Sequence, residues 1–250
     1  SSSSSSTSTN QNVVFFNEAY GSGFNLENSQ INGGNLGLNL IGKNEDSLIA
    51  GVYLKNNIFN DAYFGRAHLS NTRNSEISGN TFSSNNASGS SSFGLDIIEN
   101  KGFLGVFGNQ IGSASGWPSN GIILDKCEGL PISPGVIYNN FIAVGDSTTV
   151  DAYGINAIES AFMNYINNSI AVNHASGLSA ALELAGGGAN RVINNILANF
   201  DGGYGLDYQE TAGFPAFESD YNNIYSNVSA IARHKNNTFI SINQWSGSIG

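Results

Sequence analysis

Asparagine returns through this chain at a nearly fixed interval, usually doubled and followed within two residues by a large apolar side chain. It does so in Asn56-Asn57-Ile58-Phe59, Gly79-Asn80-Thr81-Phe82, Gly108-Asn109-Gln110-Ile111, Asn139-Asn140-Phe141-Ile142, Asn167-Asn168-Ser169-Ile170, Asn194-Asn195-Ile196-Leu197 and Asn222-Asn223-Ile224-Tyr225. Marking the second residue of each group, positions 57, 80, 109, 140, 168, 195 and 223 are separated by 23, 29, 31, 28, 27 and 28 residues. Self-similarity at a period of about 20–50 residues marks a repeat architecture, in which each unit buries its apolar face against its neighbours. The chain therefore reads as one continuous body rather than two small domains.

A second column supports the first. Glycine followed by apolar residues recurs at Gly51-Val52-Tyr53-Leu54, Gly94-Leu95-Asp96-Ile97, Gly121-Ile122-Ile123-Leu124, Gly154-Ile155-Asn156-Ala157-Ile158, Gly177-Leu178-Ser179-Ala180 and Gly205-Leu206-Asp207-Tyr208. Each unit thus carries at least two strand-sized segments rich in Ile, Leu, Val and Phe, separated by Gly, Asn and Ser, and none shows helical periodicity. Two or three short strands per unit, repeated, stack into a parallel β-helix. Successive coils then lie about 4.8 Å apart, so equivalent asparagines sit above one another and their amides can form a ladder. Asparagine at a turn also tolerates left-handed backbone angles. The Ile or Phe that follows is expected to fill the core.

The expected architecture is all-β, a right-handed parallel β-helix of about seven to nine coils. Residues 1–11, a Ser/Thr tract with nothing to bury, read as a flexible leader. Residues 12–235 read as the solenoid. Asn236-Asn237-Thr238-Phe239 comes 14 residues after Asn223 and breaks the period, so 236–250 read as a tail or cap over the last coil.

The Asn-Asn-x-Ile/Phe marks and Gly-apolar strands, over about Asn12 to Tyr225, resemble the right-handed parallel β-helix repeat proteins of the pectate-lyase-like superfamily. That superfamily includes pectate lyases, polygalacturonases, phage tailspikes and many secreted bacterial surface proteins. Ser219-Asp220-Tyr221-Asn222-Asn223-Ile224-Tyr225-Ser226-Asn227 resembles a closing segment of large secreted β-helix proteins from Bacteroidetes-like bacteria. The resemblance implies an extracellular or cell-surface module with a structural, adhesive or glycan-binding role in a larger secreted protein, and makes an oligomer or filament conceivable. It also implies an alternative, a polysaccharide lyase or glycoside hydrolase. The Asn-Thr-Asp, Asp-Asp, Gly-His-Gly and Arg-Ile-Lys motifs of polygalacturonase-like hydrolases do not occur in this sequence.

Composition narrows the partners. Nine Lys and Arg against 19 Asp and Glu give a net charge of −10, which disfavours nucleic acid and anionic membrane surfaces. No apolar run reaches the roughly 18 residues needed to span a bilayer, so no membrane insertion is expected. Cys127, the single cysteine, forms no disulfide framework and reads as a buried thiol.

Candidate chemistry lies just beyond the Gly-apolar strands, at Glu99, Asp125, Glu128, Glu159, Glu183 and Glu210. Stacking would bring several onto one edge, where crowded carboxylates raise one another's pKa and supply an acid and a base. If the protein is an enzyme, Asp125, Glu128 and Asp151 are the candidate carboxylates and Lys126 the candidate base. Trp117, in the loop of the longest unit, offers a flat surface for a sugar ring, with Glu99 and Glu159 as further ligand contacts. No cofactor is required, although the same acids would suit Ca²⁺, which takes six to eight oxygens. His68, His174 and His234 share no spacing, so no metal site is assigned to them.

Overall fold

A computed structural model describes residues 12–83, 92–112, 119–145, 151–209, 211, 217–227 and 230–249. It is a parallel β-solenoid of about seven turns. Each full coil has three legs. In one coil they are Tyr153–Ile158, Met163–Ile166 and Ser169–Val172.

The first legs include Leu36–Gly42, Asn120–Asp125, Ala180–Ala185, Tyr204–Gln209 and Ala232–His234. Gly65–Ser78 and Phe93–Phe107 run without a break through first and second legs, which joins those two columns into one sheet. The third legs stack as a separate sheet of eight strands, from Gln30–Asn32 to Asn223–Ser226.

The core follows from alternation. On the first leg Ile122 and Leu124 point inward and stack on Ile155 and Ala157, then on Leu182 and Leu184, all of them buried. On the third leg the inward residue is the second after the ladder asparagine. Phe59, Phe82, Ile111, Ile142, Ile170 and Leu197 are buried, whereas Ile58, Phe141 and Ile196, directly after the asparagine, face outward and are exposed.

The glycine column has a steric cause. A Cβ on Gly94, Gly121, Gly154 or Gly205 would run into Ile111, Ile142, Ile170 or Ile224 of the third leg. Registers place Gly37, Arg66 and Ala181 in the same column. Gly51 and Gly177, grouped with it from sequence, lie elsewhere: Gly51 turns at a φ of 67° before the second leg, and Gly177 precedes the first-leg strand with open space around it. Arg66 is buried where the other coils have a small residue. Its Nη1 donates to the carbonyl of Phe93 at 3.1 Å, and burial lowers its pKa to about 10.

The asparagine column forms an amide ladder. Asn57, Asn80, Asn109, Asn140, Asn168 and Asn195 each donate from Nδ2 to Oδ1 of the next asparagine at 3.0 Å. The backbone N–H of each donates to the same Oδ1 at 2.9–3.1 Å. The second Nδ2 proton goes to a backbone carbonyl one coil back, for example Val106 from Asn140 at 2.9 Å. Ser29 starts the ladder by donating its N–H to Asn57 Oδ1 at 3.0 Å.

The residue before each ladder asparagine is left-handed, with Asn56, Asn139, Asn167 and Asn194 at φ of 54–58° and Gly79 and Gly108 at 65° and 63°. In the last coil Tyr221, at 54°, takes that corner, so the ladder member is Asn222 rather than Asn223. The doubled asparagine there is displaced by one residue, and Asn223 begins the third-leg strand.

Beyond it the chain reverses. Asn237–Phe239 pairs antiparallel with Ala232–His234, and the helix Ile242–Ile249 brings buried Trp245 against Phe239 and Phe217. No described helix is long and apolar enough to cross a membrane.

Asn140→Ala removes both acceptor bonds from Asn109 and leaves its buried N–H groups unpaired, at a cost of about 2–4 kcal/mol. Asn140→Asp should behave differently with pH. Its second oxygen would face the oxygens of Val106 and Asn168, which disfavours the charged form and raises the folded-state pKa above the unfolded one. Stability is then greatest in acid and falls as pH rises above about 4, as urea midpoints measured between acid and neutral pH will show.

Candidate functional site

The outward positions of the first leg form one continuous row. Register stacks Asn39, His68, Asp96, Ile123, Asn156, Glu183, Asp207 and Arg233, one per coil. Gly177 is not in the glycine column, so counting two residues on from it, to Ser179, gives the wrong register; the row member is Glu183, two residues after Ala181. These side chains point away from the core yet are recessed. Asn39 is 8%, Asp96 9% and Asp207 0% exposed, against 57% for Phe141 and 51% for Ile196 on the third-leg face.

Two side-chain pairs occupy the row. His68 Nδ1 lies 2.8 Å from Asp96 Oδ2. Arg233 Nε donates to Asp207 Oδ1 at 2.9 Å while its Nη2 donates to Oδ2, a two-pronged clamp. The guanidinium also lies over the Tyr204 ring, 4.8 Å from its centroid.

Between the pairs, Glu183 has no hydrogen-bond partner among the described residues. Burial, then the charges of Asp207 and Asp151, push its pKa up to about 7, and Arg233 only partly offsets this. Tyr153, in the adjacent outward row, is pushed well above the usual phenol range by burial and by Glu183, so its hydroxyl stays protonated. Next to Glu183 in the main row, Asn156 has a buried Oδ1 with no partner among the described residues, and Asn39 Oδ1 is in the same condition.

The residues singled out from sequence are divided between two places. Glu99, Lys126 and Glu159 occupy one turn position in three successive coils, at φ of 58°, 52° and 47°, so a cation separates the two acids. Asp125 stands just before this turn, its carboxyl raised by burial and lowered by Lys126. Exposed Glu128 pairs with Lys101 Nζ at 3.3 Å.

Asp151 is not with them. It lies at the other end of the leg, seven residues before Ile158, the register partner of Asp125; at about 3.3 Å per residue that is roughly 20 Å away. There it accepts a hydrogen bond from Ser176 and faces Glu183. Trp117 and Glu210 lie outside the described residues.

No group of three or more His, Cys, Asp or Glu able to hold a metal ion gathers among the described residues. Cys127 is buried, and burial pushes its thiol up to about 12, so it carries no thiolate at neutral pH.

Sequence reasoning thus missed Glu183 as a row member, together with Arg233, Tyr153 and Tyr204. The signal was present in Ala181-Leu182-Glu183-Leu184, which aligns with Gly154-Ile155-Asn156-Ala157 once alanine is admitted to the glycine column. Comparison of the chain with protein families, curated proteins and solved structures gives no match, so the β-helix resemblance rests on the repeat and its stacked coils.

Two stability effects follow from this geometry. The raised carboxyl of Glu183 contributes fully to stability below its unfolded pKa of about 4.3, and that contribution is lost as pH rises through about 7. Glu183→Gln should therefore stabilise the protein by about 2–3 kcal/mol at pH 8 and be nearly neutral at pH 4, read as the difference in denaturation midpoints. Arg233→Met strands the buried Asp207 carboxylate and should cost about 3 kcal/mol, with early loss of hydrogen-exchange protection in Ala232–His234.

Proposed function

We propose that this solenoid is an extracellular or cell-surface module that binds polysaccharide along its first-leg face, as part of a larger secreted protein of the pectate-lyase-like architecture. The observation that carries this reading is the recessed polar row. An extended polymer laid along the axis meets one outward side chain every coil, about 4.8 Å apart, so contacts repeat with the polymer. Tyr153 supplies a partly exposed ring with a protonated hydroxyl, and half-buried Asn156 stands beside it in the row, its Oδ1 without a donor among the described residues. The acidic balance and scattered cations suit neither nucleic acid nor an anionic membrane.

A catalytic reading has one observation in its favour, since a carboxyl with a pKa near 7 can act as a general acid or base. Glycoside hydrolysis uses two carboxyl groups in separate roles. Asp207, the nearest in register, is fully buried and saturated by Arg233, while Asp151 is held by Ser176. Binding is therefore the better account of the same residues. A structural or adhesive role is compatible with it, because the ladder gives a stiff rod and the row gives it a specific face.

Affinity electrophoresis through gels containing single polysaccharides, followed by titration calorimetry on those that retard the protein, tests the reading. Asn156→Ala should weaken binding about tenfold without lowering the melting temperature, since it removes a buried acceptor that no protein donor satisfies. Release of new reducing ends or unsaturated uronates by the wild-type protein would instead establish the enzyme.

A further inference from the structure

Resting on the glycan-binding reading, we infer that the row accepts an uncharged polysaccharide and rejects polymers carrying carboxylate or sulfate groups. Both basic side chains in the row are already committed. His68 faces Asp96, and Arg233 grips Asp207 with two nitrogens while covering the Tyr204 ring. No described cation in the row is left to receive an anionic substituent.

What remains uncommitted is acceptor chemistry. The Oδ1 atoms of Asn156 and of Asn39, the latter 8% exposed, have no donor, and the Glu183 carboxyl has no hydrogen-bond partner among the described residues. Groups of this kind pair with a hydroxyl donor and not with a second acceptor. An anion seated at the same depth would instead add a like charge beside Asp151, Glu183 and Asp207, which Arg233 only partly offsets. The wider charge acts in the same direction, at −10 for the chain.

The groups facing Glu183 set how this selectivity varies with pH. Asp207 and Tyr204 lie on one side, Asn156, Tyr153 and Asp151 on the other, and Arg233 lies beyond Asp207. As pH rises from 6 to 8 Glu183 ionises through about 7, so rejection of anionic polymers sharpens while binding of neutral ones changes little.

Direct titration of the whole chain at about 0.15 M salt tests this, using neutral oligosaccharides of hexoses, N-acetylhexosamines and pentoses beside oligouronates and sulfated oligosaccharides of matched length. The expected result is that the best neutral ligand binds at least tenfold more tightly than any anionic one at pH 8. Glu183→Gln should narrow that ratio several-fold. Glu45→Gln, which removes an exposed charge outside the row, should leave the ratio unchanged.

An oligouronate or sulfated ligand that binds as tightly as the neutral ones overturns the inference and leaves the glycan-binding reading standing. A ratio unmoved by Glu183→Gln, or moved equally by Glu45→Gln, shows that selectivity does not arise in the row and overturns it as well. If no member of either class binds, the glycan-binding reading fails, and this inference fails with it.

Discussion

One buried amide per coil fixes the register on which everything else in this protein depends. Backbone hydrogen bonds hold parallel coils together but do not choose among registers, because every residue offers the same N–H and C=O. The ladder asparagine does choose. Its Oδ1 must meet both the N–H and the Nδ2 of the asparagine one coil earlier, and its own Nδ2 must reach a carbonyl in that earlier coil. A slip of one residue would leave these buried polar groups unsatisfied and turn Phe82 or Ile142 out of the core. Chain-length variation is thereby exported to the far corners, such as the turn closed by Leu130 and Ser133, where the coil lengthens without disturbing its neighbours.

With register fixed, the outward faces acquire distinct characters at no cost to the core. The third-leg face exposes Phe141, Ile196 and Tyr225 among polar residues. The first-leg face carries recessed acids and bases, matched at His68–Asp96 and Asp207–Arg233 and left unmatched at Glu183. Native solenoids tolerate buried polar groups where they are paired or serve a ligand. The unmatched stretch, Asn156 and Glu183, is therefore the part of the row that core packing does not explain. It is also where Asp151 joins it from the preceding loop.

The repeat was legible in the sequence because asparagine does two jobs, one in the left-handed corner and one in the ladder, and both repeat. Positions 57, 80, 109, 140, 168 and 195 are ladder members as their spacing implied. The last was misread by one residue, since a tyrosine can be forced into a left-handed corner and the doubled motif then slides. The candidate site was harder to read. It depends on matching outward positions across coils, and glycine was a faulty guide to them: Gly51 and Gly177 serve turns, while Arg66 and Ala181 stand where glycine was expected. Asp125, Lys126 and Glu128 are close in sequence and share a corner, but Asp151 belongs to the opposite edge, a separation that only the three-legged coil reveals.

The ladder is also one-directional. Every asparagine from 57 to 195 waits for an oxygen supplied by the coil that comes after it in the chain, and none supplies its successor in return. During synthesis the newest coil therefore always ends in an unanswered amide, and each coil added satisfies the one before while inheriting the same deficit. The ladder amides are aligned head to tail, so the rod has a polarity in its hydrogen bonding as well as in its chain direction.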